Sequence, residues 1–206
     1  MFESVLTSET QATMEVLSRW PSLPDFYLTG GTATALQIGH RVSYDLDFFC
    51  QDEFRHQDHV RSLRALSRFI VDYTDSNTLV GRLNEVKVGF FHYPYRLIRP
   101  PHRWRGLKIA SLEDIACIKV DAISSRGKKR DFIDLYFIMK ALRLSLSEVF
   151  QVFEQKYGGG QYNLIHVQKS LIFFADAEGD PDPQMLAEYS WEQCKSFFIR
   201  QIRELE

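Results

Sequence analysis

The sequence predicts an α+β protein: a small mixed β-sheet flanked by helices, followed by a C-terminal helical region. Three observations predict it. Short segments of period two lie before residue 110; in "EVKVGFF", Val86, Val88 and Phe90 alternate with Glu85, Lys87 and Gly89, as in a half-buried strand. After residue 110 the period becomes helical, as in "KRDFIDLYFIMKAL", where Ile133, Phe137 and Leu142 fall roughly on one side. The later segments also open on capping signals, such as Ser111 with Asp114. The expected organisation is an α/β core over residues 1–110 and a helical region over 111–206 that closes over the site.

Taken in order, residues from about Ser8 to Trp20 read as an amphipathic helix stopped by Pro21 and Pro24. "DFYLTGG" reads as an aromatic strand ending in a glycine turn, and "TATALQIGH" as a helix that Gly39 can end. "DLDFFC" returns as a strand, and "HQDHVRSLRALSRF" carries Val60, Leu63 and Leu66 at helical spacing. "IVDYT", "TLVGRL" and "EVKVGFFHYPY" are β-type. "RLIRPPHRWRG" reads as a proline-containing connection rich in arginine, and "LKIAS" as a short last strand. Helices are then expected in "SLEDIACIKVDAISSR", "KRDFIDLYFIMKAL", "SLSEVFQVFEQKYGGG" (ended by its glycines), "NLIHVQKSLIFFADA" and "SWEQCKSFFIRQIREL", with "EGDPDP" as a loop.

Composition narrows the function. The chain has 206 residues and a formal net charge of −2, so any contact with a polyanion must come from a local patch. Cys50, Cys117 and Cys194 are odd in number and lack zinc spacing, which fits reduced thiols. The N-terminal stretch carries no basic-apolar signal pattern, and no apolar run nears the ~20 residues of a membrane span. A cytoplasmic protein with no membrane partner is expected.

The chemistry concentrates in "TGGTATALQIGHRVSYDLDFFC", from Thr29 to Cys50. A glycine turn lets phosphates approach backbone N–H groups, and a helix opening there adds its dipole. Asp45 and Asp47, two apart in a strand, aim together, and their repulsion calls for a divalent cation. No GxxxxGK[ST] is present, so this is not a P-loop. Downstream, Lys119 and Arg126 are seven apart on an expected helix, with Arg130 following at i+4 and Asp131 and Asp134 available to hold those cations. Asp134 also reads as a plain i+4 partner of Arg130. Arg41 and Ser43 are equally readable as nucleotide contacts or loop residues. "RLIRPPHRWR", with Tyr95 and Trp104, is equally readable as an RNA-acceptor patch or a solvated connection. His40, His92 and His166 have no ligand spacing.

"LTGGTATALQIGHRVSYDLDFF" resembles the signature of the nucleotidyltransferase superfamily. "GHRVSYDLDFF" and "KVDAISSRGKKRDFIDLYFI" resemble, more narrowly, the AbiEii/AbiGii toxin-type nucleotidyltransferases. The resemblance covers roughly residues 26–140 and implies a nucleotidyltransferase-like fold. It implies Gly30, Gly31 and Thr32 at the triphosphate, and Asp45 and Asp47 on Mg²⁺ (or Mn²⁺). It makes Lys119 the phosphate-contacting lysine and Arg126 and Arg130 further nucleotide contacts. Asp45, Asp47, Lys119 and Asp131 form its catalytic set, with Asp134 beside them. The implied reaction moves an NMP from an NTP to a hydroxyl of RNA or protein, in the toxin of a bacterial toxin–antitoxin pair whose antitoxin is a partner. One position departs from the pattern. The superfamily's third carboxylate comes from a later strand, and the slot expected to be acidic in "EVKVGFF" is Gly89; Glu85, about 13 Å away along an extended strand, replaces it only if the register shifts. The rival readings are a regulatory protein that binds nucleotide without transfer, and a structural domain without a site.

Overall fold

The computed structural model, which describes residues 1–158 and 162–205, is built on a mixed sheet whose two faces have different tasks. The strands are β1 (Tyr27–Thr29), β2 (Leu46–Cys50), β3 (Phe69–Asp75), β4 (Thr78–Leu83), β5 (Val86–His92), β6 (His102–Trp104) and β7 (Leu107–Ile109). Among the described residues the order is β3-β4-β5-β2-β1-β7-β6. The β2–β5 and β1–β7 pairs are parallel; β1–β2, β3–β4, β4–β5 and β6–β7 are antiparallel.

The two-residue period sorts the faces. Leu46, Phe48 and Cys50 of β2, with Val86, Val88 and Phe90 of β5, are buried on one side. Phe48 and Phe90 stack at 5.6 Å, and Trp20 and Phe26 complete an aromatic core. Asp47, Lys87, Gly89 and Phe91 have the opposite parity and line a cleft on the other side.

Helices α1 (Ser8–Leu17), α2 (Gly30–Ile38) and α3 (His56–Leu66) interleave with the strands, and α4 (Leu112–Arg126), α5 (Lys129–Leu142), α6 (Leu146–Tyr157), α7 (Leu164–Ser170), α8 (Ala175–Glu178) and α9 (Trp191–Arg203) follow. Ser111 caps α4 and Ser145 forms a full capping box on α6, as their spacing predicts. Gly158 caps α6; the expected stop at Gly159 and Gly160 lies outside the described residues.

Four expectations need correction. α1 ends at Leu17 rather than Trp20, because the chain turns ahead of Pro21 to bury the indole. "NLIHVQKSLIFFADA" is two helices, α7 and α8, separated by a turn. The arginine-rich connection contains β6, which pairs with β7 as a hairpin. It is also anchored: the Asp114 carboxylate accepts from Ile98 N (2.9 Å), Arg99 N (3.1 Å) and Lys156 Nζ (2.7 Å). Finally, α4 does not continue from Arg126 to Arg130. Gly127 turns left-handed (φ +56°) and ends it, and Arg130 belongs to α5.

Among the described residues no helix is long and apolar enough to cross a membrane. The three cysteines are unpaired and buried, and burial pushes the Cys50 and Cys117 thiols up to about 12.

Candidate functional site

Gly30 opens α2 with φ +67°, a conformation that costs a side chain dearly. A Cβ there would also lie 3.0 Å from Asp47 Oδ2, so backbone and carboxylate meet only because residue 30 is glycine. A Cβ on Gly31 would collide with the Arg41 guanidinium. The first N–H groups of α2 have no intrahelical acceptor, and the Thr29 side chain does not cap them. The positive end of the helix therefore faces the cleft uncapped, as an anion requires. Thr32 holds the turn to the next loop: its hydroxyl bonds to Ser43 Oγ (2.8 Å) and to the Asp45 carbonyl.

Asp45 sits just before β2 and Asp47 within it, yet both line the same cleft of about 470 Å³. Burial raises the Asp47 carboxyl above its usual value, and the Asp45 charge adds to this. The nearest cation contact is Arg130 Nη1 to Asp45 Oδ2, at 4.0 Å. Two adjacent hard oxygen donors are of the kind that would suit Mg²⁺ or Mn²⁺. Among the described residues no group of three or more His, Cys, Asp or Glu side chains is arranged to hold a metal ion.

Behind the pair lies a buried ion network. Asp134 is fully buried and accepts from Arg41 in bidentate fashion (Nε 2.7 Å, Nη2 2.9 Å) and from Lys119 Nζ (2.6 Å); His40 Nε2 lies 2.8 Å from it. Asp131 accepts from Lys119 Nζ (2.9 Å) and from Arg126 (Nε 2.9 Å, Nη2 3.1 Å). Burial opposes the ionisation of both carboxyls. Arg41 and Lys119 nevertheless hold Asp134 well below its usual value, and Lys119 and Arg126 hold Asp131 below. Lys119 is likewise opposed by burial but raised by Asp131 and Asp134.

This corrects the expected pairings. Asp134 partners Arg41, Lys119 and His40 rather than Arg130. Lys119 is only 4% exposed, and two of its three donors are taken by carboxylates. Arg126 and Arg130, each about half exposed, reach the cleft more freely.

In the third-carboxylate slot, Gly89 lies directly opposite Asp47 in the parallel pairing of β2 and β5. A Cβ on Gly89 would lie 3.2 Å from Asp47 Oδ1 and would collide with the Phe91 ring. An aromatic ring thus fills the space of the expected acid. Glu85 does not replace it: it occupies the β4–β5 turn at φ +70° and pairs with Arg68 on the surface.

Several residues escaped the sequence reading. His40 lacks ligand spacing but anchors Asp134; its adjacency to Arg41 in "GHRVS" was the available signal. Phe49, Phe91 and Tyr93 form an aromatic wall of the cleft, with Phe49 at 5.3 Å from Phe91 and 4.8 Å from Tyr93. Asp121 and Ser125 line the facing helix. His92 hydrogen-bonds Asn77, and His166 lies against the Ser124 carbonyl, both on the surface. Arg99 and Arg105 of the basic connection pair with Glu113 and Glu3.

A strand–glycine turn–helix unit facing two carboxylates defines a nucleotidyltransferase fold, and the solved structures agree. The chain is similar to a putative nucleotidyltransferase from H. pylori (TM-score 0.59, 16% identity, 99% of this chain and 92% of that one). It is also similar to MenT4, a nucleotidyltransferase toxin from Mycobacterium tuberculosis H37Rv (TM-score 0.57, 17% identity, 94% and 81%). Residues 14–105 and 85–192 match the family described as nucleotidyl transferase AbiEii toxin, type IV TA system, and the chain belongs to that family. An uncharacterized protein of Aquifex aeolicus (strain VF5) is 38% identical over 184 residues, 87% of each chain.

Proposed function

We propose that the protein is a Mg²⁺- or Mn²⁺-dependent nucleotidyltransferase that moves an NMP from an NTP to a hydroxyl of RNA or protein, acting as the toxin of a toxin–antitoxin pair. One observation carries the proposal: Gly30 brings the uncapped N-terminus of α2 against Asp47, while Asp45, Arg126 and Arg130 face the same cleft. The backbone N–H groups of Gly31 and Thr32 receive triphosphate oxygens. Arg126 and Arg130 balance charge that develops on the phosphates. Asp45 and Asp47 would hold the divalent ion, which would supply positive charge against the phosphates. Lys119 and Asp131 fix Arg126 from behind, and the Phe49–Phe91–Tyr93 wall offers a stacking surface for the base. Family membership and the likeness to MenT4 support the toxin role and imply an antitoxin partner.

A second reading rests on Gly89. With Phe91 over the slot of the third carboxylate, no acid stands opposite Asp47 to activate an acceptor hydroxyl. This favours a protein that binds nucleotide without transferring it.

Calorimetric titration of each NTP with Mn²⁺, on wild type and on Asp45→Asn/Asp47→Asn, tests both. Metal-dependent binding lost in the double variant is expected, with label passing from an α-³²P NTP to RNA or protein. Binding without transfer selects the second reading; no binding to any NTP removes both.

A further inference from the structure

The threonines of the glycine turn are not equivalent. Thr32 donates to the Asp45 carbonyl and bonds Ser43, and Thr34 Oγ donates to the Gly30 carbonyl (2.8 Å). Thr29 is as buried as they are, at 1% exposure, and its hydroxyl makes no hydrogen bond. It stands at the helix N-cap position without capping. A buried hydroxyl without a partner carries an uncompensated desolvation cost and is uncommon in folded proteins.

The register shows what lies beside it. Thr29 is directly opposite Asp47 in the antiparallel pairing of β1 and β2, so the two side chains share the cleft face of the sheet. On the other side of Asp47 lies Gly89, which has no side chain to offer. The cations that face Asp47 are committed elsewhere: Lys119 to Asp131 and Asp134, Arg126 to Asp131, and Arg130 toward Asp45. An unused donor therefore neighbours a carboxylate that no cation holds in place.

We infer that Thr29 is a positioning residue: its hydroxyl donates to the Asp47 carboxylate when that group binds a divalent cation, and so orients Asp47 from the side opposite Gly89. The inference rests on the nucleotidyltransferase reading of the cleft. Carboxylate ligands are commonly fixed by such an outer hydrogen bond, whose loss weakens metal affinity by about 10–100-fold. A chain with no third carboxylate relies more on the orientation of the two it has.

Thr29→Val keeps the shape and removes the hydroxyl; Thr29→Ser keeps the hydroxyl. The probes are Mn²⁺ alone and Mn²⁺ with each NTP, measured by calorimetry, together with the thermal midpoint of each metal-free protein. Expected for Thr29→Val are a Mn²⁺ and Mn·NTP affinity lower by about tenfold or more and a metal-free midpoint equal to or above that of wild type. Thr29→Ser is expected to restore the affinity. Unchanged affinity in Thr29→Val, or a lowered metal-free midpoint showing that the hydroxyl serves the fold, overturns the inference. If wild type itself binds no Mn·NTP, the nucleotidyltransferase reading falls and takes this inference with it; if only the Thr29 variants behave otherwise than expected, that reading stands.

Discussion

At the scale of single residues, the cleft separates charges paired within the fold from charges that no close ion pair holds. Asp134 belongs to the first kind. Truncating it strands Arg41 and Lys119 in the interior, so Asp134→Ala is expected to cost about 3–5 kcal/mol in chemical denaturation. Asp47 belongs to the second kind. Its ionisation is resisted by burial and by Asp45, so Asp47→Asn should leave the metal-free protein as stable as wild type or more so near neutral pH, while abolishing metal-dependent nucleotide binding. A lower midpoint for the metal-free Asn variant would count against this division. The Asp-Leu-Asp pair and the glycines were legible in the sequence because their chemistry is local. The partners of Asp134 were not: Arg41 and His40 come from a loop more than ninety positions away, and nothing along the chain announces that meeting.

At the scale of elements, alternation in β5 was readable and correct, while the acid due at Gly89 was an expectation of the nucleotidyltransferase resemblance alone. What it could not supply was the neighbour. Only the register shows Asp47 opposite, and only the folded strand shows the Phe91 ring over the gap. Gly89→Ala is therefore expected to cost about 1–3 kcal/mol by overpacking, and Phe91→Ala should relieve much of that cost in a double-mutant cycle. Additive effects of the two substitutions would refute the contact. The i+4 relation expected between Arg126 and Arg130 failed for a local reason: Gly127 is an effective stop between the two helices, and Arg130 faces Asp45 instead of stacking on Arg126.

At the scale of the whole molecule, the buried ion network makes stability depend on pH. Asp131 and Asp134 titrate below the usual unfolded value near 3.9. Their contribution is therefore complete above that pH and is lost as pH falls through their folded values. Asp47 has the opposite sign: its raised folded value makes ionisation a cost that disappears as pH falls. The two buried, bidentate-paired groups dominate. The thermal midpoint of wild type should fall steeply below about pH 4, and Asp134→Asn, weaker at pH 7, should converge on wild type there. Parallel curves across the range would show that the network does not govern acid stability.

The loop that carries Arg41 is also sewn to the far end of the chain. Val42 N donates to Gln184 O (2.9 Å), Leu186 N to His40 O (2.8 Å), and Asp180 accepts from Lys129 N (3.1 Å) at the start of α5. On the ribosome, the glycine turn and both aspartates emerge long before the segment that ties their supporting loop to α5. The nascent protein thus carries the cleft aspartates before the segment that bonds the Arg41 loop has been made. Translation itself delays the bracing of this loop, and a chain released after Glu178 is expected to bind Mn·NTP far more weakly than the 206-residue chain.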